Sequence, residues 1–205
     1  MSSKGASRPN IIIIAGGIGA GKSVVSHILS AMGYPVYDCD SHAKLLMDSS
    51  QDIKNGIKHR IHASIISEDG SIDRNALSSI VFSEPSKLSE LNSIVHSAVR
   101  NDIARWVTGL PANTDIAFIE TAIPYASGLH ASADGIWEVN APLPVRIQRV
   151  MLRNGLSEGQ IMDRIKSQES EHHRNGHKLI INDGETPVIP KLISLLTDIC
   201  KNTRI

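Results

Sequence analysis

A lysine, a serine and a run of glycines near the start of the chain carry the densest chemical signal in the sequence. Gly16, Gly21, Lys22 and Ser23 fit the spacing G-x-x-x-x-G-K-[ST] within Gly16-Gly17-Ile18-Gly19-Ala20-Gly21-Lys22-Ser23. Glycine-rich backbone at this spacing turns N–H groups inward on phosphate oxygens with no Cβ in the way. The Lys22 ammonium would meet the β- and γ-phosphates as a point charge, and the Ser23 hydroxyl would bind Mg²⁺ carried by the nucleotide. Gly17, Gly19, Ala20, Gly21, Lys22, Ser23 and Val24 are therefore the expected nucleotide-binding run. A glycine-rich turn that only resembles such a loop is the bland alternative, and the flanking pattern decides against it.

Three further groups of polar residues invite a chemical reading. Asp38 and Asp40, separated by Cys39, follow an apolar stretch at Tyr34–Tyr37. Carboxylates at the carboxyl end of a strand sit where open α/β sheets bind ligands, and strand alternation would point both the same way. An Asx turn with a helix N-cap explains the same residues without function. Arg149 and Arg153 are spaced i, i+4 on one helix face, followed by Arg164 and Gln168 beyond Asn154-Gly155. Two arginine-bearing helices could form a lid over phosphates, or a solvated hairpin. Arg74 and His96 stand alone as polar groups in a mostly helical stretch. Of the nine histidines, His172 and His173 are adjacent and His59 and His62 lack a ligand-spaced partner, so none reads as a metal ligand.

The elements that must position these residues are legible from periodicity. Strands are expected at about 10–15, 35–38, 115–120, 135–140 and 178–182, separated by helices, which makes a parallel α/β sandwich. Val24, Val25, Ile28, Leu29 and Met32 would form the apolar face of the helix after the glycine loop, with Gly33 as its C-terminal cap. The stretch 43–107 shows no core strand. It contains a turn at Glu68–Ser71, a helix opened by Asp73 and a long helix begun at Glu84-Pro85, and its length marks it as an insert. Glu120 ends a buried strand and could order a Mg²⁺-bound water or cap a turn. Pro142 and Pro144 open one lid helix, and Ser157 to Gln160 has capping-box spacing for the next.

Composition narrows the classes. The chain has 205 residues, with 21 lysines plus arginines against 21 aspartates plus glutamates. One domain with insertions fits that length, and zero net charge argues against non-specific binding to nucleic acid or a membrane surface. No apolar run approaches the roughly 18 residues of a membrane span. Residues 1–9 lack a secretory h-region and read as a disordered tail. Cys39 and Cys200 have no C-x-x-C spacing and read as reduced thiols, so a cytoplasmic location is the default. There is no Asn-Lys-x-Asp for guanine and too little chain for a large motor. What remains is a P-loop small-molecule kinase, with a non-catalytic ATP-binding module as the alternative.

Several blocks occur in order that together resemble the dephospho-CoA kinase family. They are Gly16 to Ser23, Val36-Tyr37-Asp38-Cys39-Asp40, Asp69-Gly-Ser-Ile-Asp-Arg-Asn-Ala-Leu77 with Val81-Phe82 and Pro85, and Leu91-Asn92-Ser-Ile-Val-His96. Arg149-x-x-x-Arg153, Arg164-Ile-x-x-Gln168 and Ile181-Asn182-Asp-Gly184 continue the similarity, which spans about residues 10–195. The resemblance implies a three-layer α/β/α P-loop fold with a five-stranded parallel sheet, a helical substrate-binding insert and a helical lid. The nucleotide-binding core would be 10–42 and 108–205, with the lid at about 145–172 and the CoA-substrate insert at 43–107. It implies ATP-dependent phosphorylation of the ribose 3′-hydroxyl of dephospho-CoA, the final step of coenzyme A synthesis, with Mg²⁺. By the same carry-over Asp40 is the general base, with Lys22 and Arg149 as the other catalytic groups. Asp38 helps place substrate or hydrated Mg²⁺, and Arg74 and His96 face the acceptor. Arg149 and Arg153 close over the triphosphate, and Asn182 lies near the adenine. The implied partners are small molecules only, with the chain a monomer or small homo-oligomer.

The sequence departs from the family pattern at Val24 for threonine, Cys39 for alanine and Ser97 for proline. The usual Pro-Leu-Leu-Phe-Glu stretch reads Ala122-Ile-Pro-Tyr-Ala126, without its terminal acid. A nucleoside monophosphate or sugar-acid kinase is the nearest competing reading, separated from the first by the Asp69 to His96 block.

Overall fold

A computed structural model describes residues 8–172 and 174–202 of the chain. The isoleucine run forms β1 (Asn10–Ala15), in which Ile11, Ile12, Ile13 and Ile14 are all buried. Side chains alternate across a strand, so burial at both parities requires cover on both faces. β1 is the middle of a five-stranded sheet with β2 (Val36–Asp38), β3 (Ile116–Glu120), β4 (Gly135–Asn140) and β5 (Lys178–Ile181). The order is β2-β3-β1-β4-β5, and the β1–β3, β1–β4 and β4–β5 pairs are parallel. All five expected strands are present, each within one residue of its expected ends. Because β1 has β3 on one side and β4 on the other, the chain reverses its direction of progress there. Ligands of open α/β sheets bind beyond the carboxyl ends of the strands at such a switch point.

The helix after β1, α1 (Lys22–Ala31), buries Val25, Ser26 and Leu29. The expected apolar face was two residues too wide: Val24 and Met32 are 47% and 43% exposed. Starting the helix at Lys22 aims the Val25–Leu29 stripe at the sheet and turns Val24 about 100° away from it. The cap at Gly33 forms as expected. Its φ is 91°, its N–H donates to Ser30 O, and the Tyr34 N–H donates to Leu29 O.

The remaining helices are α2 (Cys39–Ser49), α3 (Gln51–Arg60), α4 (Arg74–Ser83), α5 (Pro85–Thr108), α6 (Leu143–Asn154), α7 (Glu158–Ser167) and α8 (Val188–Asn202). The chain divides into two compact units. One comprises the described residues up to Val36 and from Ala112 onward; the other is Tyr37–Pro111. The first unit packs Ile12, Ile14, Val25, Leu29, Phe118 and Trp137 with Leu192, Leu195 and Leu196 of α8. Beyond the end of β2, the second is mostly helical, packed around Ile53, Ile57, Ile65, Leu77, Val81 and Ile94. Asp38 and Asp40 thus fall in the helical unit, upstream of the expected insert boundary at residue 43.

Of the expected tail at 1–9, Arg8 and Pro9 are described. Arg8 donates to both oxygens of Asp134 at 2.9 and 2.8 Å, and Asp134 also accepts from the Ile11 N–H. Residues 1–7 of that tail, and His173, lie outside the described residues. Among the described residues no helix is long and apolar enough to cross a membrane.

Candidate functional site

Between β1 and α1 the chain makes the loop that the glycines permit. Gly19 and Gly21 have φ of 78° and 92°, in the left-handed region that side chains avoid. A Cβ at Gly19 would strike the Arg146 backbone, and one at Gly21 would collide with the Asn182 carboxamide. α1 follows with no acidic residue in its first turn, so no carboxylate of that turn offsets its positive end. Lys22 Nζ folds back along the loop and donates to Gly16 O at 2.9 Å.

Several expected residues gather behind this loop. Asn182, 7% exposed just after β5, donates its carboxamide N–H to Ala20 O at 3.1 Å. Arg149 on α6 donates to the Asn182 carbonyl at 2.9 Å. Gln168, past the end of α7, accepts from the Ile18 N–H at 2.9 Å. Asn182 is therefore a buttress under the phosphate loop, with its carboxamide turned to Ala20. Arg153 does not join the group: it is exposed near the end of α6, and its Nε donates to the neighbouring Asn154.

Arg146 is the residue that the i, i+4 pattern at 149 and 153 passes over. It lies on α6 one turn before Arg149, donates Nε to Ile18 O at 2.9 Å, and sets its guanidinium against Gly17. Burial pulls its pKa down from the ordinary arginine value. The i, i+3 spacing of Arg146 and Arg149 was the available signal.

The loop carrying Ala126 has a carboxylate after all, supplied from elsewhere in the chain. Glu171, 5% exposed in the 3₁₀ turn Glu169–Glu171 after α7, accepts from the Tyr125 and Ala126 N–H groups at 2.7 and 3.0 Å. The Tyr125 hydroxyl lies 2.9 Å from His177 Nε2, and His177 Nδ1 lies 2.7 Å from the buried Glu138 carboxylate. The Arg174 guanidinium sits 3.8 Å over the Tyr125 ring. Only the fold brings these residues together, and no spacing rule links 125, 138, 171, 174 and 177.

In the helical unit, Asp38 is the N-cap of α2. Its carboxylate accepts from the Asp40 N–H at 3.0 Å and from Ser41 Oγ at 2.5 Å. The helix begins at Cys39, so Asp40 sits in its first turn, and strand alternation does not relate the two carboxylates as expected. Asp40 is exposed, and its carboxylate makes no hydrogen bond or ion pair with the described residues. Arg74, at the start of α4, is ion-paired with Asp48 at 2.6 Å, both largely exposed. His96 is half-buried on α5.

Comparison with known proteins completes the picture. The family model for dephospho-CoA kinase matches residues 10–187. A dephospho-CoA kinase of Bacteroides fragilis is 36% identical over 185 residues, spanning 89% of each chain. One of Porphyromonas gingivalis is 34% identical over 186 residues, spanning 89% of this chain and 91% of its own. A crystal structure of a Thermus thermophilus protein superposes with a TM-score of 0.74 at 30% identity, covering 96% of this chain and 98% of that one. The dephospho-CoA kinase of Campylobacter jejuni shares the fold, with a TM-score of 0.62 at 19% identity and coverage of 95% and 99%.

Proposed function

The chain belongs to the dephospho-CoA kinase family, and we propose that it transfers the γ-phosphoryl group of ATP to the ribose 3′-hydroxyl of dephospho-CoA, releasing ADP and coenzyme A. The observation that carries the donor half is the glycine cradle. Its two left-handed glycines are closed from behind by Asn182 and Arg146, and Lys22 lies along it. Such a cradle holds phosphates by backbone N–H groups, and preorganised donors need no rearrangement as charge develops on the transferring group.

The γ-phosphorus forms a bond to the 3′-oxygen as its bond to the β–γ bridging oxygen breaks. Asp40 takes the hydroxyl proton. Its carboxylate is exposed and unengaged by the described residues, which supports that role. Proton transfer is late in a loose transition state, so an ordinary carboxylate held in line is base enough. Ser23, exposed at the start of α1, would hold Mg²⁺ that arrives with the nucleotide, where it would neutralise phosphate charge. Asp38 acts on Asp40 first as the cap of its helix. Lys22 and Arg149 stabilise charge on the phosphates. Arg153 closes over the triphosphate only if α6 and α7 move as a lid. In this scheme Tyr37–Pro111 is the acceptor-binding unit, with Arg74 and His96 toward dephospho-CoA. Cys39 and Cys200 form no disulfide among the described residues, in keeping with a reducing compartment such as the cytoplasm.

The test is an ADP-release assay offering dephospho-CoA beside AMP, shikimate and gluconate. Turnover is expected with dephospho-CoA alone, and equal or better activity on another acceptor overturns the proposal. Asp40→Asn should lower kcat by roughly 10²–10⁴-fold with nucleotide binding little changed. An undiminished kcat removes Asp40 from the base role.

A further inference from the structure

We infer that Asp102 on α5 is a positioning residue for Asp40, acting through Tyr37 and His42 to clamp both flanks of the Asp38-Cys39-Asp40 turn. The inference rests on the proposed base role of Asp40. The Asp102 Oδ2 atom accepts from the Tyr37 hydroxyl at 2.6 Å and lies 3.1 Å from His42 Nδ1. Tyr37 immediately precedes Asp38, and His42 follows Asp40 by two residues in the first turns of α2. One carboxylate oxygen therefore ties the strand side and the helix side of the turn to the same point on α5. The other oxygen accepts from Arg105 at 3.1 Å, which fixes the carboxylate from the far side.

The geometry leaves little play in this turn. Tyr37 is fully buried, its ring stacks on that of His42 with centroids 3.9 Å apart, and Trp106 closes at 5.4 Å. Cys39 between the two aspartates is buried as well, so the turn is held from inside while Asp40 faces out. The Tyr37 hydroxyl donates to Oδ2, and His42 donates to the same atom in the tautomer that carries its proton on Nδ1. A charged acceptor makes these hydrogen bonds stronger than neutral ones. A general base in line with its proton loses rate steeply when displaced, as much as about 10²-fold for 1 Å.

The test is a kcat cycle: Asp102→Ala and Tyr37→Phe, each made with Asp40 present and in an Asp40→Asn background. Tyr37→Phe keeps the buried ring and removes only the hydroxyl, so it remains informative if Asp102→Ala fails to fold. With Asp40 present, kcat should fall roughly tenfold or more for Asp102→Ala and about threefold or more for Tyr37→Phe. KM for ATP should stay within about twofold. In the Asp40→Asn background neither change should lower kcat further. Equal losses in both backgrounds, or no loss with Asp40 present, overturn the clamp and leave the base role standing. Full activity of Asp40→Asn alone overturns the base role and the clamp with it.

Discussion

Gly21→Ala tests the phosphate loop most sharply, because two independent costs meet at one added methyl group. Gly21 has φ 92° and ψ 32°, where an L side chain costs about 1–2 kcal/mol. The new Cβ would also collide with the Asn182 carboxamide, which must swing away and abandon Ala20 O. Losing that hydrogen bond with a buried partner left unmatched costs a further 1–3 kcal/mol or so. The sum, roughly 3 kcal/mol or more, opposes only the cradle conformation, so it should surface as about 10²-fold weaker ATP binding. Calorimetric titration with ATP measures it directly, and circular dichroism checks that the fold survives. Asn182→Ala removes the collision partner, so the double variant Gly21→Ala with Asn182→Ala should bind ATP about as weakly as Gly21→Ala alone. Gly159→Ala on α7 is the control: nothing lies within 4 Å of its Cβ position, and alanine there should leave ATP binding unchanged. ATP affinity within threefold of wild type for Gly21→Ala, or full additivity in the double variant, refutes the reasoning.

Arg146→Ala should raise KM for ATP by tenfold or more while Arg153→Ala raises it less, because of the two arginines Arg146 is the one that braces the loop at Ile18 and Gly17; the reverse ranking in steady-state kinetics returns the loop contact to Arg153. Acid stability should report Asp102. Burial alone would raise its carboxyl, but the Tyr37 hydroxyl, His42 and Arg105 outweigh it and hold it below the usual value. A depressed folded pKa adds stability above the unfolded value of about 3.9 and loses it as pH falls through the folded value. Tm should therefore drop between about pH 5 and pH 3 by more in wild type than in Asp102→Asn, and parallel melting curves contradict the pairing.

The parts of this fold that were legible in the sequence are those coded by neighbours. Four β-branched isoleucines in so short a run favour a strand covered on both faces, and β1 is that strand. Asp73 and Ser157 each precede a helix they cap, and Ser157 forms the full capping box with Gln160. The glycine spacing specifies the phosphate loop for the same reason, since each special backbone position needs its own residue. Local coding also explains the misses. Whether Val24 or Ser26 faces the sheet depends on where α1 begins, and a shift of one residue turns a helix by 100°. Alternation related Asp38 to Asp40 only while the chain was taken as extended. Once Asp38 caps α2, helix geometry governs the pair.

The contacts that brace the candidate site were hidden for a different reason. Asn182 reaches Ala20 across 162 positions, Glu171 reaches Tyr125 across 46, and Tyr37 reaches Asp102 across 65. No periodicity relates such partners. Each is a polar group whose burial becomes affordable only when a distant segment supplies the matching atom. The chemistry-bearing groups sit in local motifs because they must meet a ligand along one stretch of backbone. The groups that hold them still are scattered because rigidity comes from tying different elements together. A substitution at Glu171 or Asp102 should therefore disturb the reaction through geometry while every motif residue keeps its identity.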